Sequence, residues 1–182
     1  MEEDLYYKLF EDRVTQELLR LCTAAKVLDG QLLASDDTDA KWKEMAPDYM
    51  ADSVGEIAQY PEAAVAWAGY VGLAVARRWH DDWARYQSYP YASLHGSRGF
   101  DDMDEHIVRD ILGHRLDSPE ARQIESVMGT CSRAVINLIR HENIEPASKR
   151  AFLVYARAER AMFRIGVSME LYALGYHWEQ HG

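Results

Sequence analysis

Apolar residues recur along most of the chain at steps of three and four residues, which is the period of an α-helix, and no stretch alternates as a strand does. Polar stretches and the Pro and Gly residues fall mostly between these periodic segments. We therefore predict an all-α fold with a single domain over residues 1–182. Its architecture is expected to be an up-and-down bundle of about six helices.

The first two segments are amphipathic. The first is predicted over residues 3–34, with one apolar stripe that a bundle would bury. Short polar side chains at 35–39 predict a turn. The second segment, 40–59, contains Pro47, whose ring clashes with the preceding helical turn, so we expect two pieces.

The third segment, 62–86, is predicted to be the central, buried helix. Pro61 suits the first turn of a helix, where its missing N–H needs no partner. Between residues 63 and 76 every residue except Tyr70 is apolar or Gly, so no face suits water. Small residues would let a neighbouring backbone approach closely on one side: Ala68, Gly69, Gly72 and Ala76.

The second half of the chain predicts one long loop and three helices. Residues 87–100 lose the helical pattern, and helices are predicted over 102–116, 118–143 and 146–180. Ser118 followed by Pro119 is a clear helix start.

Four ionisable residues fall on helix faces that are otherwise apolar. A rotation of about 100° per residue places one of them inward on the third segment and three inward on the last. They are His80, Glu159, Glu170 and His177. Buried ionisable groups must be paired, shift their pKa or bind something. Three interpretations remain open: His and Glu side chains that satisfy each other, a metal or substrate site, or a different helical phase in which these groups reach water.

The loop 87–100 and the helix end before it form a second candidate site. The loop is longer than most connections, and such loops are either packed by their own side chains or functional. Its candidate ligand-binding residues are Tyr86, Tyr89, Tyr91, His95, Arg98 and Phe100. If the loop is functional, it would cover a pocket for a small molecule.

A third candidate is a metal site near the start of the fourth helical segment. His106, Asp110 and His114 recur every fourth residue, so they share a helix face about 80° wide. Two imidazoles and a carboxylate in this arrangement could bind a divalent metal. Alternatively, this face is solvated, and Asp102 with Glu105 serves as an N-terminal capping pair.

Charge and cysteine content narrow the function further. Thirty acidic against twenty basic side chains give a formal net charge of −10, which disfavours nucleic acid as a partner. No apolar run is long enough to span a membrane, and the first residues lack the pattern of a secretory signal. Cys22 and Cys131 lie in helical patterns and are interpreted as reduced core thiols, so we expect a cytoplasmic protein.

Three functional hypotheses follow. The first is a cytoplasmic interaction or scaffold protein that self-associates, without catalysis and without a cofactor. The alternative is a hydrolase that depends on a divalent metal and acts on a small phosphorylated or nucleotide-like substrate through His80, Glu159, Glu170 and His177. The third is a small-molecule pocket under the loop 87–100. The chain contains no Glu-x-x-His pair, phosphate-binding loop or Gly-x-Ser-x-Gly elbow that would decide for an enzyme.

Overall fold

The computed structural model describes residues 2–177, and no strand occurs among them. The α-helices are α1 (Glu2–Ala24), α2 (Asp36–Ile57), α3 (Pro61–Tyr86), α4 (Met103–His106), α5 (Pro119–His141) and α6 (Lys149–Ala173). A 3₁₀ turn at Tyr91–Leu94 and a π-helical stretch at Ile107–Ile111 lie between α3 and α5. The predicted all-α fold is confirmed. Of the helices within 2–177, none has both the length and the apolar character needed to cross a bilayer.

The five long helices alternate in direction. The Tyr49 hydroxyl of α2 donates to the Ala64 carbonyl early in α3 (2.5 Å), while Asp37 at the start of α2 accepts from Trp79 Nε1 late in α3 (3.1 Å). α2 is therefore antiparallel to α3. Contacts between other pairs of helices likewise show that α6 runs parallel to α3 and that α5 runs antiparallel to α1. The chain thus runs up and down, as predicted.

α3 and α6 form the centre of the bundle through their glycines. A Cβ at Gly72 would overlap the Phe163 carbonyl oxygen, and one at Gly166 would overlap the carbonyl oxygen of Gly69. Only glycine lets the two backbones lie this close, which increases the contact between the helices. The predicted close approach of a neighbouring backbone to α3 is confirmed.

The remaining helices pack around this pair. Phe10, Val14 and Leu18 of α1 are buried, and the Trp42 ring of α2 stacks on Phe163 with 4.8 Å between ring centroids. Each such side chain stabilises the fold by about 1.5–3 kcal/mol when fully buried. Cys22 of α1 and Cys131 of α5 are also buried, with 3.8 Å between their Sγ atoms.

The first helix is shorter than predicted. α1 ends at Ala24, and positive φ angles at Lys26 (63°) and Gly30 (93°) turn the chain away from helical geometry. The apolar pattern continues because Leu28 and Leu33 still pack into the core from this loop. Periodicity therefore identified buried residues here but not the helix end.

The prediction that Pro47 divides the second segment is wrong. α2 is continuous from Asp36 to Ile57. Its buried face extends on both sides of the proline, with Met45 before it and Tyr49 after it. Packing of this face compensates for the helical hydrogen bond that proline cannot donate.

The segment predicted as a helix over 102–116 is short and irregular. α4 passes at once into the π-helical stretch Ile107–Ile111, and the chain leaves helical geometry at Gly113, where φ is 76°. α5 lies where it is predicted. α6 begins at Lys149, capped by Ser148, and ends at Ala173, so it is shorter than the predicted 146–180. Residues 178–180 of that prediction lie outside the described residues.

Candidate functional site

The four ionisable residues predicted to share one inward cluster are not together. Glu159 and Glu170 of α6 are buried, with 0% and 5% of their surface exposed, as predicted. His80 and His177 are exposed. About 16 Å of helix axis separates Glu159 from Glu170. The prediction of a single buried cluster is therefore wrong, although the burial of its two carboxylates is confirmed.

The exposure of His80 follows from the register between α3 and α6. Arg77 lies opposite Glu170, with 3.8 Å between Nη1 and Oε1. α6 ends at Ala173, three residues after Glu170, and His80 is exposed. Its Nδ1 instead makes a hydrogen bond of 3.1 Å with the Tyr176 hydroxyl, after the end of α6.

Glu159 is a buried acid with one polar partner. The Ser53 hydroxyl of α2 donates to Oε2 at 3.0 Å, and Oε1 lies at 3.3 Å. Burial raises the pKa of Glu159 to about 8, while the hydrogen bond from Ser53 acts in the opposite direction. Glu159 is therefore mostly protonated at neutral pH, which removes the cost of a buried charge.

Glu170 is a buried acid beside a cation. Burial raises its pKa to about 7, the charge of Arg77 lowers it, and the charge of Asp81 raises it further. Arg77 is shared, since its Nε also donates to Asp81 at 3.2 Å. This arrangement is an ion-pair network at the edge of the core.

The middle of the loop 87–100 is packed into the bundle. Tyr91 is buried, and its hydroxyl donates to Asp52 Oδ2 at 2.7 Å. His95 Nε2 donates to the same oxygen at 2.9 Å. The Phe100 carbonyl accepts from Trp67 Nε1 at 2.8 Å. These contacts favour the interpretation that the loop is held by its own side chains.

The beginning of the loop is anchored by a buried lysine. Lys41 of α2 is 3% exposed, and its Nζ donates to the carbonyl oxygens of Gln87 and Tyr89, both at 2.8 Å. The Arg78 guanidinium lies over the rings of Tyr86 and Tyr89, at 5.5 and 5.2 Å from their centroids. The aromatic residues at this end therefore hold the loop against α3.

Arg98 and Asp102 lie at the other end of the loop. Arg98 is exposed, and its backbone N–H donates to Asp102 Oδ1 at 3.0 Å. The hydroxyl of Ser97 donates to Asp102 Oδ2 at 3.1 Å. Asp102 makes no side-chain cap on α4, so the predicted capping pair with Glu105 is wrong.

The three residues predicted as metal ligands do not converge. His106 Nδ1 lies 2.9 Å from Asp110 Oδ2, and Arg109 donates to the same carboxylate at 3.2 Å. The π-helical stretch changes the helical phase, and His114 follows Gly113, where the helix has ended. Within residues 2–177 no three His, Cys, Asp or Glu side chains are arranged to hold a metal ion. This metal-site prediction is wrong.

An open apolar groove lies between α2 and α6, with a volume of about 940 Å³. We call this surface the α2–α6 groove. Its apolar lining residues are Ala40, Trp42, Ala46, Pro47, Met50, Ala51, Val54 and Phe152. Val54 is 51% exposed and Phe152 is 42% exposed. The groove is thus a recessed apolar surface that residues 2–177 leave uncovered.

The rim of the groove is basic. Three basic residues line the groove against one carboxylate: Lys43, Arg160 and Arg164 against Asp39. Arg160 and Arg157 share Glu11, with N–O distances of 3.2 Å each. Arg164 Nε lies 3.3 Å from Asp39. This surplus of positive charge contrasts with the acidic chain as a whole.

A second exposed apolar surface lies on α1. Leu5 and Leu9 are 55% and 53% exposed, one turn apart, on the side of α1 opposite its buried Phe10 and Val14. The first turn of the helix is acidic: Glu2, Glu3 and Asp4. We call Leu5, Leu9 and this acidic turn the α1 ridge.

Comparison of the chain with protein-family models, with curated proteins and with solved structures finds no match. Functional interpretation therefore depends on the geometry of the chain itself.

Sequence reasoning missed the ridge and the groove, although a signal for both is present. Met50 and Val54 lie outside the stripe that Trp42, Met45 and Tyr49 form on α2, so the apolar arc of α2 is wider than one buried face. Leu5 and Leu9 likewise lie off the buried stripe of α1. Apolar residues that widen an amphipathic stripe are the sequence signal for such surfaces.

Proposed function

We propose that this chain is an interaction protein without catalytic activity, and that it self-associates. The α1 ridge of one copy would dock into the α2–α6 groove of another. One observation carries this proposal: the same chain exposes an apolar ridge that begins with an acidic turn and an apolar groove with a basic rim.

The dimensions of the two surfaces support this pairing. Residues 39–54 of α2 form one wall of the groove. This wall is about 22 Å long, enough for four turns of a docked helix. Removing Leu5 and Leu9 from water would stabilise the contact by about 1.5–3 kcal/mol each, before the cost of association is subtracted. The association is therefore expected to depend on concentration.

The charges favour one orientation of the docked helix. Because α2 and α6 are antiparallel, Arg160 and Arg164 lie toward the Asp39 end of the groove, whereas Val54 and Phe152 lie toward the other end. The acidic first turn of α1 would meet the basic end. Complementary charge of this kind selects register and orientation. The net charge of −10 opposes contacts that lack such complementarity.

Such a contact joins two different surfaces, so it is heterologous. A pair would keep one ridge on one copy and one groove on the other unused, and further copies could add until a ring closes or a filament forms. A scaffold role follows from such assembly.

The proposal also includes a cytoplasmic location and no cofactor. A reducing compartment suits Cys22 and Cys131, two buried free thiols whose Sγ atoms face each other at 3.8 Å. The hydrolase alternative has less support, since His80, Glu159, Glu170 and His177 are dispersed.

Sedimentation velocity over a range of concentrations tests self-association. We expect the average mass to rise above the 20.9 kDa of one chain as concentration increases. Leu9→Lys on the ridge and Phe152→Glu in the groove should each hold the mass at one chain. Both side chains are largely exposed, so both variants should fold, which circular dichroism would verify.

Leu116→Lys is the matched control, because Leu116 is 41% exposed and lies in neither surface. It should associate as the unaltered chain does. An unaltered chain that remains a single copy up to millimolar concentration would contradict the proposal.

A further inference from the structure

A second concavity, independent of the groove, lies between α3, the segment 98–105 and α5, with a volume of about 1240 Å³. Six acidic residues line this acidic cleft: Glu56, Glu62, Asp101, Asp104, Glu105 and Glu125. Among the described residues that line it, only Arg98 and Arg133 are basic, and both are exposed. The cleft therefore presents a strongly negative surface.

The carboxylates of the cleft are not paired. In the described part of the chain, none of the six lies within 4.0 Å of a Lys, Arg or His nitrogen. Elsewhere carboxylates do find cations, as Asp110 does with Arg109 and Glu142 does with Arg13. The cleft thus accumulates negative charge that a bound cation would neutralise.

Asp104 shows the electrostatic cost of this arrangement. It is half-buried, and burial raises its pKa to about 6, while backbone hydrogen bonds lower it and the charges of Glu105 and Asp102 raise it. A positive charge at this position would stabilise the carboxylate.

Tyr70 lies in the lining of the cleft and is almost fully buried. Only 5% of the residue is exposed, and among residues 2–177 its hydroxyl has no hydrogen-bond partner. Burial raises the pKa of this phenol, and the charges of Asp104 and Glu125 raise it further, which places both carboxylates near it. The hydroxyl oxygen is not one of the fully buried side-chain atoms that lack a partner, so it keeps accessible surface, and a ligand N–H in the cleft could donate to it.

Aromatic rings form the apolar part of the same wall. The Trp67 ring contacts Tyr70 edge-on at 5.6 Å and lies 6.2 Å from the Phe100 ring. All three line the cleft. Aromatic faces attract cations and also pack against methylene groups.

We propose that the acidic cleft binds an extended organic cation of the polyamine class. Its ammonium groups would pair with Asp104 and Glu125 and donate to the Tyr70 hydroxyl, while its methylene groups pack on Trp67. The carboxylates are spread over several chain segments and do not converge as metal ligands do. Charges separated by methylene groups match this distribution better than one compact ion does.

Isothermal titration with spermidine tests the proposal. Trp67 is one of five tryptophans, so a fluorescence change that is lost in Trp67→Phe provides the local readout. We expect saturable binding that weakens with added salt. The double variant Asp104→Asn, Glu125→Gln should weaken binding by about tenfold or more, because it removes two charged partners. Tyr70→Phe should weaken it severalfold while leaving the salt dependence unchanged.

The matched control is the double variant Glu17→Gln, Glu44→Gln, which removes the same charge outside the cleft. It should bind spermidine as the unaltered chain does. Equal weakening in both double variants would overturn the proposal, because binding would then follow net charge alone. Absence of saturable binding at millimolar spermidine would also overturn it, as would equal competition by Mg²⁺ at the same concentration.

Folding of the cleft variant is checked without ligand. Neutralising Asp104 and Glu125 removes repulsion within the cleft, so the melting temperature should stay the same or rise. A folded variant that still binds spermidine with full affinity would overturn the proposal.

Discussion

At the scale of single residues, Glu159 shows how a carboxyl can be kept in a dry core by holding its proton. Its pKa in the folded chain is about 8, against an ordinary value of 4.5. The unfolded chain therefore releases this proton at a lower pH than the folded chain does. The contribution of the protonated Glu159 to the free energy of unfolding is complete below pH about 4.5 and is lost progressively as the pH rises to about 8.

We predict that Glu159→Gln stabilises the protein at pH 8 but not at pH 4. Glutamine keeps a polar partner for Ser53 and cannot ionise, so it avoids the cost that the glutamate incurs above pH 4.5. The gain at pH 8 should be on the order of 4 kcal/mol. Urea unfolding at both pH values measures it.

Glu17→Gln provides the control for this measurement, since Glu17 lies near the surface beside Arg20. It should change stability little at either pH. If Glu159→Gln destabilises the protein at pH 8 as much as at pH 4, the account of Glu159 as a protonated core residue is wrong.

At the scale of helices, the contact between α3 and α6 depends on glycine. We predict that Gly72→Ala lowers the free energy of unfolding by about 1–3 kcal/mol, although alanine favours the helix itself by about 1 kcal/mol. The new Cβ would overlap the Phe163 carbonyl, a backbone group that can move only if the helices separate. Thermal or urea unfolding measures the difference.

Gly55→Ala in α2 is the matched control. A Cβ at Gly55 has no atom within 4 Å, so this change should stabilise the protein by about 0.5–1 kcal/mol through helix propensity alone. A Gly72→Ala variant as stable as Gly55→Ala would show that the helices are not held at the distance described.

Periodicity predicted the helices better than their ends. The buried stripe of α5 and the apolar stretch of α3 follow directly from residue spacing, because packing selects one face of a helix. The end of α1 at Ala24 depends on a turn at Lys26 that no strong sequence signal marks. The continuity of α2 through Pro47 depends on packing partners that are distant in sequence. The rule that proline breaks a helix considers only neighbouring residues, so it led to a wrong prediction here.

At the scale of the whole molecule, fold class and topology could be predicted, but the sites could not. The positions of Glu159 and Glu170 around the α6 axis correctly predicted that both are buried, because this prediction needs only the apolar face of a single helix. Contact between His80 and these carboxylates depends on the register between α3 and α6. Glycine contacts between the two helices determine this register, and residue spacing within one helix does not reveal it. The groove and the acidic cleft likewise exist only between elements.

The self-association proposal is also a statement about the whole molecule. A contact between different surfaces predicts complementation, because a copy with a damaged ridge keeps its groove and a copy with a damaged groove keeps its ridge. The two variants should therefore pair with each other even though neither associates alone.

The most direct measurement is sedimentation equilibrium of Leu9→Lys and Phe152→Glu, first separately and then as an equimolar mixture. The account predicts single chains in each separate sample and a two-chain species in the mixture, with one copy of each variant. A mixture that contains only single chains would contradict ridge-into-groove docking, as would either variant that associates alone to the same extent as the unaltered chain.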